Sequence, residues 1–210
     1  MKNNKFLKVF LLLLISILMI STGCANKKKP TRKELRESGI INSFEKLPSE
    51  TEIGDFALET NGYVELSQSR KNRSNGRYSA KAVFSTPAAF VPESELKNIK
   101  TWESPITQNI NTLTELEKTD WSPYRVFLAD VFSEEEKTRD FYVNFVDSQG
   151  KEYTTAHTIE QGRNRIEVPL EEVSKNRVDL SNIVSLSLYL DTKDEPEDVI
   201  LYIDYIRILP

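Results

Sequence analysis

Four side chains in the C-terminal half of this 210-residue chain could share one face. If Phe127, Ala129, Val131, Phe141, Val143 and Phe145 point inward on two period-two strands, then Asp130, Tyr142, Asn144 and Tyr189 point outward. Flat rings beside a carboxylate and an amide suit a polyhydroxylated ligand: rings cover C–H faces while polar groups bond hydroxyls. His157 is a further candidate, although the alternation Tyr153, Thr155, His157, Ile159 can also turn it inward. The plainer reading of the tyrosines is β-propensity on a strand surface.

Reactive chemistry is harder to find. One Cys and one His exclude a disulfide framework, a Cys-rich zinc site and a multi-histidine centre. No nucleophile motif or phosphate-cradling Gly-rich loop is present. The 32 Asp+Glu leave a glycosidase pair open on composition alone. The acidic run at 134–136, however, reads as a hairpin tip, and 194–198 as a turn. The sandwich leaves no length for a catalytic domain, so a non-enzyme is expected.

The elements that must position these residues are strands. Alternation marks 63–70, 78–86, 124–132, 141–147, 165–170, 186–190 and 199–209, and polar turns separate them. Asn75-Gly76 signals a tight turn between the first two. Helical signals are short, at 93–100 and 170–176, and 87–111 reads as an irregular segment. The expected fold is all-β: a two-sheet antiparallel β-sandwich. In the last strand Val199, Leu201 and Ile203 share one parity, Ile206 and Ile208 the other, so a β-bulge is expected near Asp204. A carboxylate buried there needs a partner, with Arg207 and Arg77 as candidates, unless it lies on an open edge. Trp121 reads as structural. Trp102, in a Pro-flanked loop, is either an exposed ring or a lid on the sandwich edge.

The N-terminus stands apart. Lys2, Lys5 and Lys8 precede an apolar run over 9–20, shorter than a membrane span, which is the pattern of a secretory signal. Ser21-Thr22-Gly23-Cys24 resembles a bacterial lipobox, with Ser21 where Leu is commoner. That resemblance implies a signal peptide over 1–23 and a lipid (palmitate among its chains) on Cys24. It also implies a bacterial cell-membrane lipoprotein anchored on the extracytoplasmic side. Residues 24–37 carry roughly +4 and the rest of the chain from 38 onward roughly −11. A basic tether over 24–39 thus carries an acidic domain over 40–210. Its charge favours anionic headgroups, and the acidic body argues against nucleic acid.

Several motifs fall in a familiar order: Ser43-Phe44-Glu45, then Ser74-Asn75-Gly76-Arg77-Tyr78-Ser79, then Asp120-Trp121-Ser122-Pro123-Tyr124 leading to Ala129-Asp130-Val131. Asn164 to Leu170 (NRIEVPL), Val178 to Ile183 (VDLSNI) and Tyr202 to Ile208 (YIDYIRI) follow. Together they resemble the jelly-roll carbohydrate-binding modules of the galactose-binding-like superfamily, family 11 most of all, over about 42–209. The resemblance implies a sugar cleft on the outer face of one sheet, with Asp130 in it and an aromatic near His157. It also implies a structural calcium on Glu45 and Asp204. Carbohydrate is therefore the expected partner. The alternative is a structural or adaptor lipoprotein docking an envelope protein, which the acidic surface and the lack of a tryptophan platform favour.

Overall fold

Strong β-formers on alternating faces produce eleven strands in the computed structural model, which describes residues 31, 33–34, 39–45, 58–110 and 119–210. They are β1 (Ile40–Asn42), β2 (Glu59–Thr60), β3 (Val64–Ser69), β4 (Ser79–Phe84), β5 (Glu103–Asn109), β6 (Val126–Ser133), β7 (Arg139–Asp147), β8 (Glu152–Ile159), β9 (Gly162–Pro169), β10 (Ile183–Asp191) and β11 (Val199–Leu209). Among the described residues two short α-helices lie between them, α1 (Glu93–Leu96) and α2 (Leu170–Lys175). All these elements belong to the unit spanning 32–210. Cys24 and the signal segment lie outside the described residues. No helix among those described is long and apolar enough to cross a membrane.

The strands form two antiparallel sheets. One runs β3-β4-β11-β6-β9 with β1 beside β11, and the other runs β2-β5-β10-β7-β8. Inward side chains of both supply the core, where Phe84, Phe127, Phe141, Phe145 and Leu201 are fully buried. Trp121 lies among them, its ring parallel to Phe127 at 6.3 Å and edge-on to Phe145 at 6.0 Å. It is structural, as its sequence context suggests.

Three features depart from the sequence reading. The segment 87–111 contains β5, whose inward positions are Ser104, Ile106 and Gln108, too polar to show the alternation. Pro105 is tolerated because it lies beyond the two β5 residues, Ile106 and Thr107, that β2 pairs. The link between β3 and β4 is a nine-residue loop, 70–78, one residue longer at each end than the strand ranges 63–70 and 78–86 leave, and it closes on Gly76 at φ +67°. The first helix ends at Leu96, short of the expected 100.

Candidate functional site

The outer face of the five-stranded sheet is set by register. Tyr142 on β7 lies opposite Tyr189 on β10, which lies opposite Pro105 on β5. One row away, Thr154, Asn144, Ser187 and Thr107 stand side by side across β8, β7, β10 and β5. Because Leu186, Leu188, Leu190, Phe141, Val143 and Phe145 fill the core, their neighbours must face out.

The two tyrosines stack on each other, centroids 5.0 Å apart and planes 14° from parallel. Each ring gives one face to its partner and keeps the rest for the surface. Burial lifts the Tyr189 hydroxyl above its ordinary pKa, against the opposing pull of a hydrogen bond with Thr154. Two depressions flank the stack. One, of about 320 Å³, is lined by Tyr189, Asn144, Ser187, Thr154, Glu152, Glu103 and Pro105. The other, of about 200 Å³, is lined by Tyr142 with Asp140, Asp191, Asp194 and Arg139 among others. Asn144 Nδ2 donates to Thr154 Oγ1 at 2.8 Å, and the Thr107 and Ser187 hydroxyls are 2.8 Å apart. Polar groups thus stand pre-ordered around the rings. The charged side chains on these outward rows are Glu59, Glu103, Asp140, Glu152 and Asp191, all acidic.

Sequence reasoning placed Tyr142, Asn144 and Tyr189 on one face, and there they are. It missed Glu103, Pro105, Ser187, Thr154 and Glu152. Ser187 and Thr154 share the parity of Tyr189 and Asn144, the one signal that could have found them.

Asp130 does not join this face. It sits on β6 of the other sheet, 4% exposed, with Arg207 Nη1 at 3.3 Å and Arg165 Nε at 3.2 Å. Period-two alternation gives the side of a strand but not its sheet, so the parity argument could not separate them. His157 is also removed from the face. It pairs with Phe141 and so points to the inner side of β8, with its Nε2 buried and unbonded among the described residues. Burial lowers its pKa, against the opposing charge of Glu172.

Trp102 stacks at the sandwich edge on Tyr63 (4.3 Å) beside Phe90 (6.0 Å), and only Phe90 is widely exposed. The Trp102 main-chain N–H donates to Asp191 Oδ1 at 2.9 Å, so the lid and the tyrosine face are joined.

The expected bulge lies between Asp204 and Arg207, with Tyr205 at φ 50°. Asp204 Oδ2 accepts from the Ser74 N–H (2.6 Å), the Ser74 hydroxyl (3.0 Å) and the Asn75 N–H (2.9 Å), and Oδ1 from the Tyr205 N–H (2.7 Å). Burial raises its pKa, which the Asn75 and Ser74 N–H groups oppose. Glu45 Oε1 accepts from the Arg77 and Tyr78 N–H groups at 2.6 and 2.8 Å, packed so close to Gly76 that a Cβ there would collide with it. Both carboxylates thus clasp one loop. Calcium needs oxygen ligands facing inward. Here N–H donors face the carboxylates, while the carbonyls of Phe44, Arg73 and Tyr205 accept from Gln68, Arg163 and Arg207. This donor set does not fit calcium. Among the described residues, no group of three or more His, Cys, Asp or Glu gathers elsewhere.

The sequence matches no family profile, and no curated protein resembles it in sequence. Solved structures do resemble it in fold. The family 11 carbohydrate-binding module from Clostridium thermocellum, in complex with a β-1,3-1,4-mixed-linked tetrasaccharide, superposes with TM-score 0.51 at 13% identity. That match covers 81% of this chain and 94% of the module. An exo-β-agarase superposes with TM-score 0.59 at 17% identity over 82% of this chain, and a second agarase with 0.56 at 14% over 81%. This chain spans only 25% and 26% of those two enzymes. The fold is therefore the jelly-roll β-sandwich of carbohydrate-binding modules.

Proposed function

We propose that this chain is a membrane-anchored lipoprotein whose β-sandwich binds poly- or oligosaccharide without catalysis. The observation that carries the reading is the Tyr142–Tyr189 stack standing between two polar depressions on an open sheet face. An aromatic ridge covers C–H faces, and the groups on either side bond hydroxyls of neighbouring sugar units. That layout suits a chain of several sugars rather than a monosaccharide. The lipid on Cys24 and the basic tether would hold the domain at the outer surface of the membrane.

Support for a non-catalytic role comes from how two carboxylates of this face, Asp191 and Glu152, are engaged. Asp191 Oδ1 accepts main-chain N–H groups from Trp102 and Lys193, and Glu152 lies 3.4 Å from Asn144 Nδ2. They build the face rather than stand ready as an acid and a base.

Affinity electrophoresis in gels containing mixed-linkage β-glucan, xylan or agarose tests the binding reading. Retardation by one of them, with no sugar released, is expected. Failure of all three to retard the protein overturns it. Membrane fractionation tests the anchor: Cys24→Ser should move the protein to the soluble fraction, and an unchanged membrane pool would refute lipidation.

A further inference from the structure

The outward rows of the five-stranded sheet carry acids, yet loop 70–78, at one end of the other sheet, is strongly basic. Residues 70–77 (RKNRSNGR) hold Arg70, Lys71, Arg73 and Arg77 and no acid. Arg163 of β9 joins them, its Nη2 donating to the Arg73 carbonyl at 3.0 Å. None of these five cations forms an ion pair with a described carboxylate, in a body carrying roughly −11. What sets them apart is their gathering, four of them within eight residues of one loop and the fifth bonded to it.

The loop is also built. Its N–H groups at 74, 75, 77 and 78 are consumed by Asp204 and Glu45, which fixes its path over the bulge. Arg73 Nη1 donates to the Arg70 carbonyl at 2.6 Å, and the Arg70 guanidinium lies over the Tyr78 ring at 5.7 Å. Arg70, Arg73, Gly76, Arg77 and Tyr78 then line a depression of about 330 Å³. The two internal carboxylates bond N–H groups and a hydroxyl of the loop and pair with none of its guanidinium groups, which are left for a ligand.

We propose that this depression binds the sulfate or phosphate esters of an anionic polysaccharide. Guanidinium forks match the oxygens of such esters in bidentate fashion, and several held in one loop bind better than isolated ones. A concave site admits an ester projecting from a flexible chain, whereas a flat bilayer would press against the acidic body around it. The acidic tyrosine face repels the same polymer, which confines it to this loop. The site is separate from the Tyr142–Tyr189 face, so either can fail alone.

Calorimetry on the full-length protein in a non-ionic detergent tests this with dextran sulfate, neutral dextran and vesicles containing phosphatidylglycerol. Dextran sulfate should bind and neutral dextran should not. Replacing Arg70, Arg73 and Arg77 together by Ala should weaken dextran sulfate binding by about tenfold or more, as should raising salt to about half molar. Tyr142→Ala should leave it unchanged. Arg77→Glu, whose wild-type side chain supports no other group, should weaken binding with the fold intact by circular dichroism. Equal binding by these variants, or equal binding of neutral dextran, overturns the proposal. So does arginine-dependent binding of the vesicles with none of dextran sulfate.

Discussion

Asp130 and Asp204 face each other directly across β6 and β11, two nearly fully buried carboxylates at one rung of the ladder. Like charges so placed repel, and each is relieved by a different means. Asp130 is held by guanidinium groups, and Asp204 by N–H and O–H donors from the loop above it. The bulge makes this possible: the left-handed Tyr205 shifts the register so that Arg207 reaches back to Asp130, over the Tyr205 ring at 4.2 Å.

Removing Asp130 should therefore act on stability and not on ligand binding at the tyrosine face. Asp130→Ala leaves Arg207 buried without its carboxylate, a loss of about 3–5 kcal/mol. Urea unfolding should show a lower midpoint at unchanged m-value. A variant as stable as wild type, or one that folds normally and loses glycan binding, would return Asp130 to the ligand site.

The Tyr142–Tyr189 stack predicts a different pattern. Burying an aromatic ring is worth about 1.5–3 kcal/mol, roughly tenfold to a hundredfold in Kd. Tyr142→Ala and Tyr189→Ala should each weaken oligosaccharide binding by this much. The cross-strand pair itself costs only about 0.5–1.5 kcal/mol of fold stability when lost. Because the stack separates two depressions, affinity should rise with oligosaccharide length. Calorimetry with a length series reads both effects. Full affinity in either variant, or no dependence on length, would remove the stack from the site.

Loop 70–78 predicts how the fold responds to calcium. A structural ion present at a hundred times its Kd would add about 2.7 kcal/mol, which raises the melting temperature by roughly 5–10 °C in a domain of this size. With N–H donors on Glu45 and Asp204, melting should be the same in millimolar calcium and in excess EDTA. A calcium-dependent rise of several degrees would show that the loop opens to admit the ion. Gly76→Ala, by contrast, should destabilise the clasp in either buffer, since its Cβ collides with Glu45 at a left-handed position.

These relationships mark how far the chain could be read before its fold was known. Alternation placed Phe127, Phe141 and Phe145 inside and Tyr142, Asn144 and Tyr189 outside, because each face of a strand meets one environment. The parity slip near Asp204 was legible for the same reason. Sheet membership was not, since Asp130 and Tyr142 have the same local pattern and differ only in which strands flank them. Strand β5 stayed hidden because its inward Gln108 is satisfied by Asn42 Nδ2 at 3.1 Å, a buried bond across 66 residues of sequence. With β5 went Glu103 and Pro105, two of the seven residues that line one depression. The loop clasp was invisible too, because it depends on backbone N–H groups that every residue carries.

His157 offers a clean probe, being the single histidine of the chain. Burial on the inner side of β8 holds its folded-state pKa below the ordinary 6.5, and the charge of Glu172 only partly offsets this. The unfolded chain therefore binds the proton first as pH falls. The stability tied to neutral His157 is complete above pH 6.5 and is lost as pH drops from there through the folded-state pKa. Nuclear magnetic resonance of the untagged protein should show one imidazole titrating with a midpoint under 6.5. His157→Gln should flatten the fall in stability across that interval. A midpoint at or above 6.5 would place the ring in water, and with it would go the inward orientation that separates His157 from the tyrosine face.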